Sequence, residues 1–254
     1  MHFIPALNAQ RSLQGLAVGE RFFVHPNTVE RLIAERALPA APWPYTDDTQ
    51  MALSIMEILG RHGRIDQDEL AAHFAAHYDP SRGYGPAMHQ ALARIGHGEP
   101  WQRVAESLFA GQGSFGNGAA MRVAPIGAYY ADDLCRAVED AARSAVVTHA
   151  HPEAGAGAIA VAVAAAWAGR LRAENVLPRP AGFLDLVLPH VPPGEVQSRL
   201  RRGRDLSENA PMQTAVGVLG NGITLGACRS QKIPVAGDEG DRLTQDTAGP
   251  LCTG

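Results

Sequence analysis

The sequence predicts an all-α chain, a compact single-domain globule of many helices. Three observations carry that prediction. Apolar residues recur at the helical period nearly everywhere, no alternating stretch of useful length reads as a strand, and Gly and Pro punctuate the chain at helix-length intervals. With 254 residues, 46% of them hydrophobic and 19% charged, the chain can bury a core without disulfide or metal staples.

Met1 to Gln14 has no basic region followed by an apolar run, so no signal peptide is expected. Next come Gly15 and Gly19, four residues apart, which predict the close approach of a neighbouring backbone. Met51, Ile55, Ile58 and Leu59 share one helix face, and that helix closes at Gly60 to Gly63, where glycine accepts a left-handed cap. Asp66, with Glu69 three residues later, resembles a capping box opening a helix whose apolar face is Leu70, Phe74 and Tyr78 before Pro80 stops it. Further helices are expected at about 86–96, 100–110, 118–130, 133–148, 152–170, 181–190, 194–203 and 211–219, with Pro86, Pro100 and Pro152 in first turns. Ala154 to Gly169 is apolar but reads as a buried helix, and Gly155 and Gly157 again predict tight packing. Residues 1–227 read as the helical domain and 228–254 as an irregular, polar tail.

A net charge of −4 and a pI near 6.2 leave no electrostatic footprint for nucleic acid or an anionic membrane. Cys135, Cys228 and Cys252 form no CxxC pair, so neither a disulfide framework nor a cysteine zinc site is expected, and a cytoplasmic protein is.

Three runs carry candidate chemistry. Thr46-Asp47-Asp48 places a hydroxyl and two carboxylates at a helix start. Such hard oxygens suit Mg²⁺ or Mn²⁺, and Asp48 or Thr49 serving as an ordinary cap is the competing reading. Ser114-Phe115-Gly116-Asn117-Gly118-Ala119-Ala120-Met121-Arg122 is a glycine-bracketed loop entering a helix, able to cradle a diphosphate or to be a plain Asn-Gly turn. Thr148-His149-Ala150-His151-Pro152 joins two helices, and its histidines either meet a ribose or base or sit at a dipole-favoured helix end. Asp132-Asp133 opens a helix with no metal expected. His73 and His77 have the i, i+4 spacing of a zinc site, but Phe74 stands where a metalloprotease motif has Glu, so a helix face is expected. The arginines at 199, 201, 202 and 204 read as a solvated helix end.

In this order the runs, with the opening Gly15-Leu16-Ala17-Val18-Gly19, resemble the ADP-ribosylglycohydrolase family over about residues 11–225. The resemblance implies an all-helical fold and a hydrolase with two Mg²⁺ or Mn²⁺ ions that removes ADP-ribose from modified protein side chains. Its partners would be ADP-ribosylated protein or ADP-ribose. It implies Thr46, Asp47 and Asp48 as metal ligands, with Asp47 and Asp48 catalytic. Gly116, Asn117, Gly118 and Met121 would line the ADP-ribose pocket, with His149 near its nucleoside part. Asp79 is a candidate second carboxylate, against a helix-ending Asp-Pro turn.

The chain departs from the family pattern at several places. Glu20, Arg21, Phe22 and Phe23 follow Gly19 where the family has an acidic residue and small residues. The segment before Thr46 is shortened, and the acidic residue that the family places on the loop following that helix has no counterpart. The family's C-terminal Asp-x-Asp-Thr run is not found either: Gly220 to Thr224 still resembles the family, but from about Cys228 the sequence diverges as a frameshift would make it. An inactive relative that binds ADP-ribose or a partner protein is therefore the alternative expectation, and a ligand-free scaffold is a third.

Overall fold

A computed structural model describes residues 5–24, 35, 37, 44–207, 209, 210 and 212–219, all helix, turn or loop with no strand among them. The tail from 228, Gly220 to Thr224 and the side chains of Glu20 to Phe23 lie outside the described residues.

Helix α1 spans Pro5–Val24 and α2 Asp47–His62. The stripe read on α2 is the buried one: Met51, Ile55, Ile58 and Leu59 are at most 1% exposed. Gly63 ends it at φ 63°, ψ 13°, its N–H bonded to Leu59 O at 2.8 Å. Helix α3, Gln67–Ala76, starts on Asp66, whose side chain accepts from Glu69 N at 3.1 Å. Glu69 turns to His62 at 2.8 Å, so half of the capping box forms. Helices α4 (Pro86–Gly96) and α5 (Trp101–Gly111) follow, with Pro100 in the N-cap position of α5 and not in its first turn.

The helix expected at 118–130 breaks in two. Asn117–Ala119 is a single 3₁₀ turn, and α6 covers Ala124–Tyr129, with Pro125 in its first turn. A proline there needs no N–H partner and restarts the chain as a helix. Helix α7 is Leu134–Val146, capped by the Asp133 side chain bonding Arg136 N, as the second Asp doublet predicts.

Helix α8, Pro152–Glu174, runs 23 residues, longer than its apolar stretch suggests and long and apolar enough to cross a membrane. Half of its apolar window is buried inside the protein, and α8 packs against α6, α7, α9 and α10, as a core helix does. The last three described helices are α9 (Pro180–Val187), α10 (Glu195–Arg204) and α11 (Met212–Leu219).

Small residues do mediate close packing, but not at most of the positions expected. A Cβ added to Gly15, Gly19 or Gly155 would meet nothing within 4 Å. The tight crossing is at Gly127 of α6, where a Cβ would overlap the Ala162 carbonyl of α8, 2.6 Å from its carbon and 2.9 Å from Ala162 Cα. Gly194 is another such place: a Cβ would sit 3.0 Å from Glu153 Cδ. The Glu153 carboxylate accepts from Glu195 N at 2.9 Å and Val196 N at 2.8 Å, so one helix's first turn caps another.

Candidate functional site

Thr46 is the N-cap of α2 in extended conformation, and Asp47 and Asp48 fill its first turn, two carboxylates at the positive end of the helix dipole. All three are half-buried. The start of α2 is fastened from one side. Gln50 Oε1 accepts from Tyr84 OH at 2.8 Å and Asp79 N at 3.3 Å, and Arg82 lies 3.9 Å over the Tyr45 ring while donating to Tyr45 O at 3.1 Å. Burial, then the charge of Asp47, pushes the Tyr84 phenol up, so it stays a donor.

The second wall begins where α5 unwinds. Leu108 leaves helical geometry (ψ 148°), and Phe109 and Ala110 adopt left-handed backbone at φ 52° and 57°. For side-chain-bearing residues this conformation is costly, of order 1–3 kcal/mol each, and is kept at sites that need it. It leaves Phe109 43% exposed, its ring 6.0 Å from that of Phe115. Gly113, at φ 74°, lies against the third run: a Cβ would sit 2.7 Å from His151 N and 2.9 Å from Ala150 C, and His151 N donates to Ser114 O.

Gly118 has a different reason to be glycine than the loop conformation first expected. A Cβ there would sit 2.6 Å from Cε1 and 2.7 Å from Nε2 of His149, whose ring occupies that space. His149 is 3% exposed, with Nδ1 2.7 Å from Thr148 Oγ1. Burial, helped by the Arg122 charge, drives its pKa down to about 3, so it is neutral and makes no charge–dipole contact with a helix end. His151 does not end a helix either. Its Nδ1 accepts from Glu153 N and caps α8.

These walls enclose a cleft of about 470 Å³, within the range of small-molecule sites. Asp47, Gly116, Asn117, Gly118, Met121 and His149 all line it, joined by Ser114, Phe109, Met51 and the start of α4 from Gly85 to Met88. Four stretches spread over residues 47–149 thus meet at one cavity. Thr46 and Asp48 flank Asp47 on the chain but are not among the lining residues. Neither is Asp79, which accepts from Ser81 N and Oγ at 2.9 and 2.7 Å and faces Arg82, the turn-forming role.

Sequence reasoning missed the start of α4 as a wall of the cleft, and with it Phe109 and Arg122. Phe109 carried a local signal in the glycines at 111 and 113, both of positive φ. Arg122, read only as the end of a loop motif, is fully buried beneath the cleft. The other clusters have local roles. The His73 and His77 rings stack at 3.9 Å with Glu57 beside His73, Arg199 and Arg202 pair with Glu195, and Arg204 pairs with Asp185 and Asp205.

As a metal site, Thr46-Asp47-Asp48 supplies two carboxylates and a hydroxyl from consecutive residues. Mg²⁺ takes six oxygens and commonly keeps several waters, so this run fits one face of one hydrated ion. No group of three or more His, Cys, Asp or Glu able to hold a metal occurs among the described residues.

Comparison with known proteins gives a consistent picture. The ADP-ribosylglycohydrolase family model matches residues 8–231. The chain is similar to ADP-ribosylhydrolase ARH3 of Xenopus tropicalis, 38% identical over 164 residues, which is 62% of this chain and 44% of that relative. Against the ARH3 proteins of Bos taurus and Homo sapiens it is 40% identical over 113 residues and 38% over 111, each match covering 42% of this chain and 30% of the relative. The matches span less than half the length of these curated relatives.

Proposed function

Because the chain belongs to the ADP-ribosylglycohydrolase family, we propose that its cleft binds ADP-ribose and serves to hydrolyse the bond joining ADP-ribose to a modified protein side chain. The observation that carries this reading is the convergence of Asp47, the Gly116 to Gly118 turn, Met121 and His149 on one cavity. Each residue type there has work to do. The exposed Phe109 ring beside Phe115 offers an apolar face on which a base can stack. Neutral His149 offers a hydrogen bond without the desolvation cost of a buried charge.

In the reaction, water oxygen bonds to the anomeric carbon, the bond to the side-chain heteroatom breaks, and the water's proton passes to the leaving group. The transition state resembles an oxocarbenium ion. Asp47, the carboxylate that reaches the cleft, would orient the attacking water and face that developing positive charge. Thr46, Asp47 and Asp48 would hold one face of Mg²⁺ or Mn²⁺, which when bound lowers the pKa of a coordinated water.

The one-sided donor set among the described residues favours a second reading, ADP-ribose binding without turnover. Calorimetric titration of ADP-ribose with and without Mg²⁺ or Mn²⁺, alongside its release from ADP-ribosylated protein, separates the two. Saturable binding with metal-dependent release supports hydrolysis, and in that case Asp47→Ala abolishes the metal dependence. Binding with no release under any metal leaves the binding module, and no binding under either condition overturns both.

A further inference from the structure

We infer that Arg122 and Thr148 form a buried hydrogen-bond relay that fixes the tautomer of His149, so that His149 meets the ligand as a neutral donor through Nε2. The role of His149 toward a ligand rests on the cleft being the ADP-ribose site, whereas the relay itself does not. Arg122 is 0% exposed. Its Nη2 donates to Ser144 O at 2.7 Å, its Nη1 to Thr148 Oγ1 at 3.0 Å and more distantly to Met51 Sδ, and its guanidinium lies 4.6 Å over Phe74. A cation sealed in this way is costly, and an apolar side chain of similar volume would fill the same space more cheaply. What arginine adds is a set of donors that can never accept.

The direction of the relay follows from counting protons. Thr148 Oγ1 accepts from Arg122, and among the described residues its single hydroxyl proton has one acceptor within reach, His149 Nδ1 at 2.7 Å. Nδ1 must then accept, which places the proton of the neutral ring on Nε2. The opposite tautomer would aim an Nδ1–H at Thr148 and leave the hydroxyl proton of a 1%-exposed residue with no acceptor. Nε2 is also the nitrogen nearer the glycine turn, 2.7 Å from a Cβ built on Gly118, where Nδ1 is 3.7 Å away. The cleft wall therefore presents an N–H at this point and selects an acceptor oxygen or nitrogen of the ligand.

The test uses the full chain labelled with ¹⁵N-histidine. His149 is expected to show the Nε2–H tautomer, unchanged between pH 5 and 8. Thr148→Val, which keeps the shape and removes the hydroxyl, is expected to give mixed tautomers and an ADP-ribose Kd weaker by about tenfold, the scale of one hydrogen bond. Thr148→Ser restores both, which a purely space-filling role for Thr148 would not predict. An Nδ1–H tautomer in the wild type overturns the relay, as does an unaltered tautomer in folded Thr148→Val. Should Thr148→Val fail to fold, the wild-type and Thr148→Ser spectra decide. If the tautomer is as stated but ADP-ribose does not bind, the relay stands and the ligand reading falls.

Discussion

Alanine at Gly118 puts the packing of the cleft wall to a quantitative test. The added Cβ would lie 2.6 Å from Cε1 and 2.7 Å from Nε2 of His149, where ordinary contacts begin at about 3.5 Å, so roughly 0.9 Å must be found. The ring cannot simply swing aside, because it is buried and tied through Nδ1 to Thr148, which Arg122 holds in turn. Overpacking of this kind costs about 1–3 kcal/mol, and a retreat that breaks the Thr148–His149 bond adds about 1 kcal/mol.

Gly116 is the matched control. A Cβ there would lie 3.5 Å from Ser114 Oγ and 3.6 Å from His149 Nε2, and its backbone at φ −64°, ψ 168° suits any residue. Gly116→Ala should therefore gain about 0.4–1 kcal/mol by restricting the unfolded chain. Urea denaturation, comparing midpoints at constant slope, reads both variants, and the two shifts should have opposite signs. A Gly118→Ala protein as stable as wild type, or Gly116→Ala the more damaged of the pair, would refute the assignment of Gly118 to ring clearance.

Gly127→Ala drives a Cβ into the Ala162 carbonyl, backbone that cannot yield, so a loss of about 3 kcal/mol or more is expected in thermal melts, and a melting point within 2 °C of wild type would contradict it. His149 has a folded pKa near 3 against about 6.5 unfolded, so the unfolded state binds the extra proton. Stability should fall as pH drops below 6.5, by about 2 kcal/mol at pH 5 from this group, and His149→Gln should flatten that limb. Asp140 goes the other way. Burial pushes it up despite hydrogen bonds from Tyr130 and Ile65, so the folded state keeps its proton longer. The stability of Asp140→Asn relative to wild type should therefore improve as pH rises from about 4, and a difference that does not change with pH would count against a raised pKa.

What was legible in the sequence was whatever a local pattern dictates. The α2 face, the Asp66 and Asp133 caps and the helices led by Pro86 and Pro152 depend on residues within four positions of one another, and they stand where those local patterns put them. The break at 117–124 was missed because the apolar run through Ala119, Ala120, Met121 and Val123 continues a helical pattern, while the chain there makes a single 3₁₀ turn with Gly118 against the His149 ring. Arg122 could not be read at all, since its partners Ser144 and Thr148 are 22 and 26 residues away and nothing nearby marks an arginine as buried. Gly118 was marked correctly but for conformational freedom, when the reason is the volume of a ring 31 residues further on.

The cleft stands on two supports, and in the proposed function this separates recognition from chemistry. One support is the loop-on-loop contact of residues 108–122 with 148–151. It is held by Gly113 against Ala150 and His151, by the His151 N–Ser114 O bond, by Gly118 beneath His149 and by Arg122 on Thr148. None of these contacts involves the acidic run. The other support is the start of α2, held by Gln50 to Tyr84 and Asp79 and by Arg82 on Tyr45. The two touch through Met51, which lines the cleft and lies 3.5 Å from Arg122. A substitution in Thr46 to Asp48 is therefore expected to leave the wall formed by residues 108–122 and 148–151 preorganised, and one at Gly118 or Thr148 to leave the carboxylates in place. If the cleft acts as proposed, loss of turnover with binding retained is thus a short step for this architecture, and loss of binding has to come from the other wall.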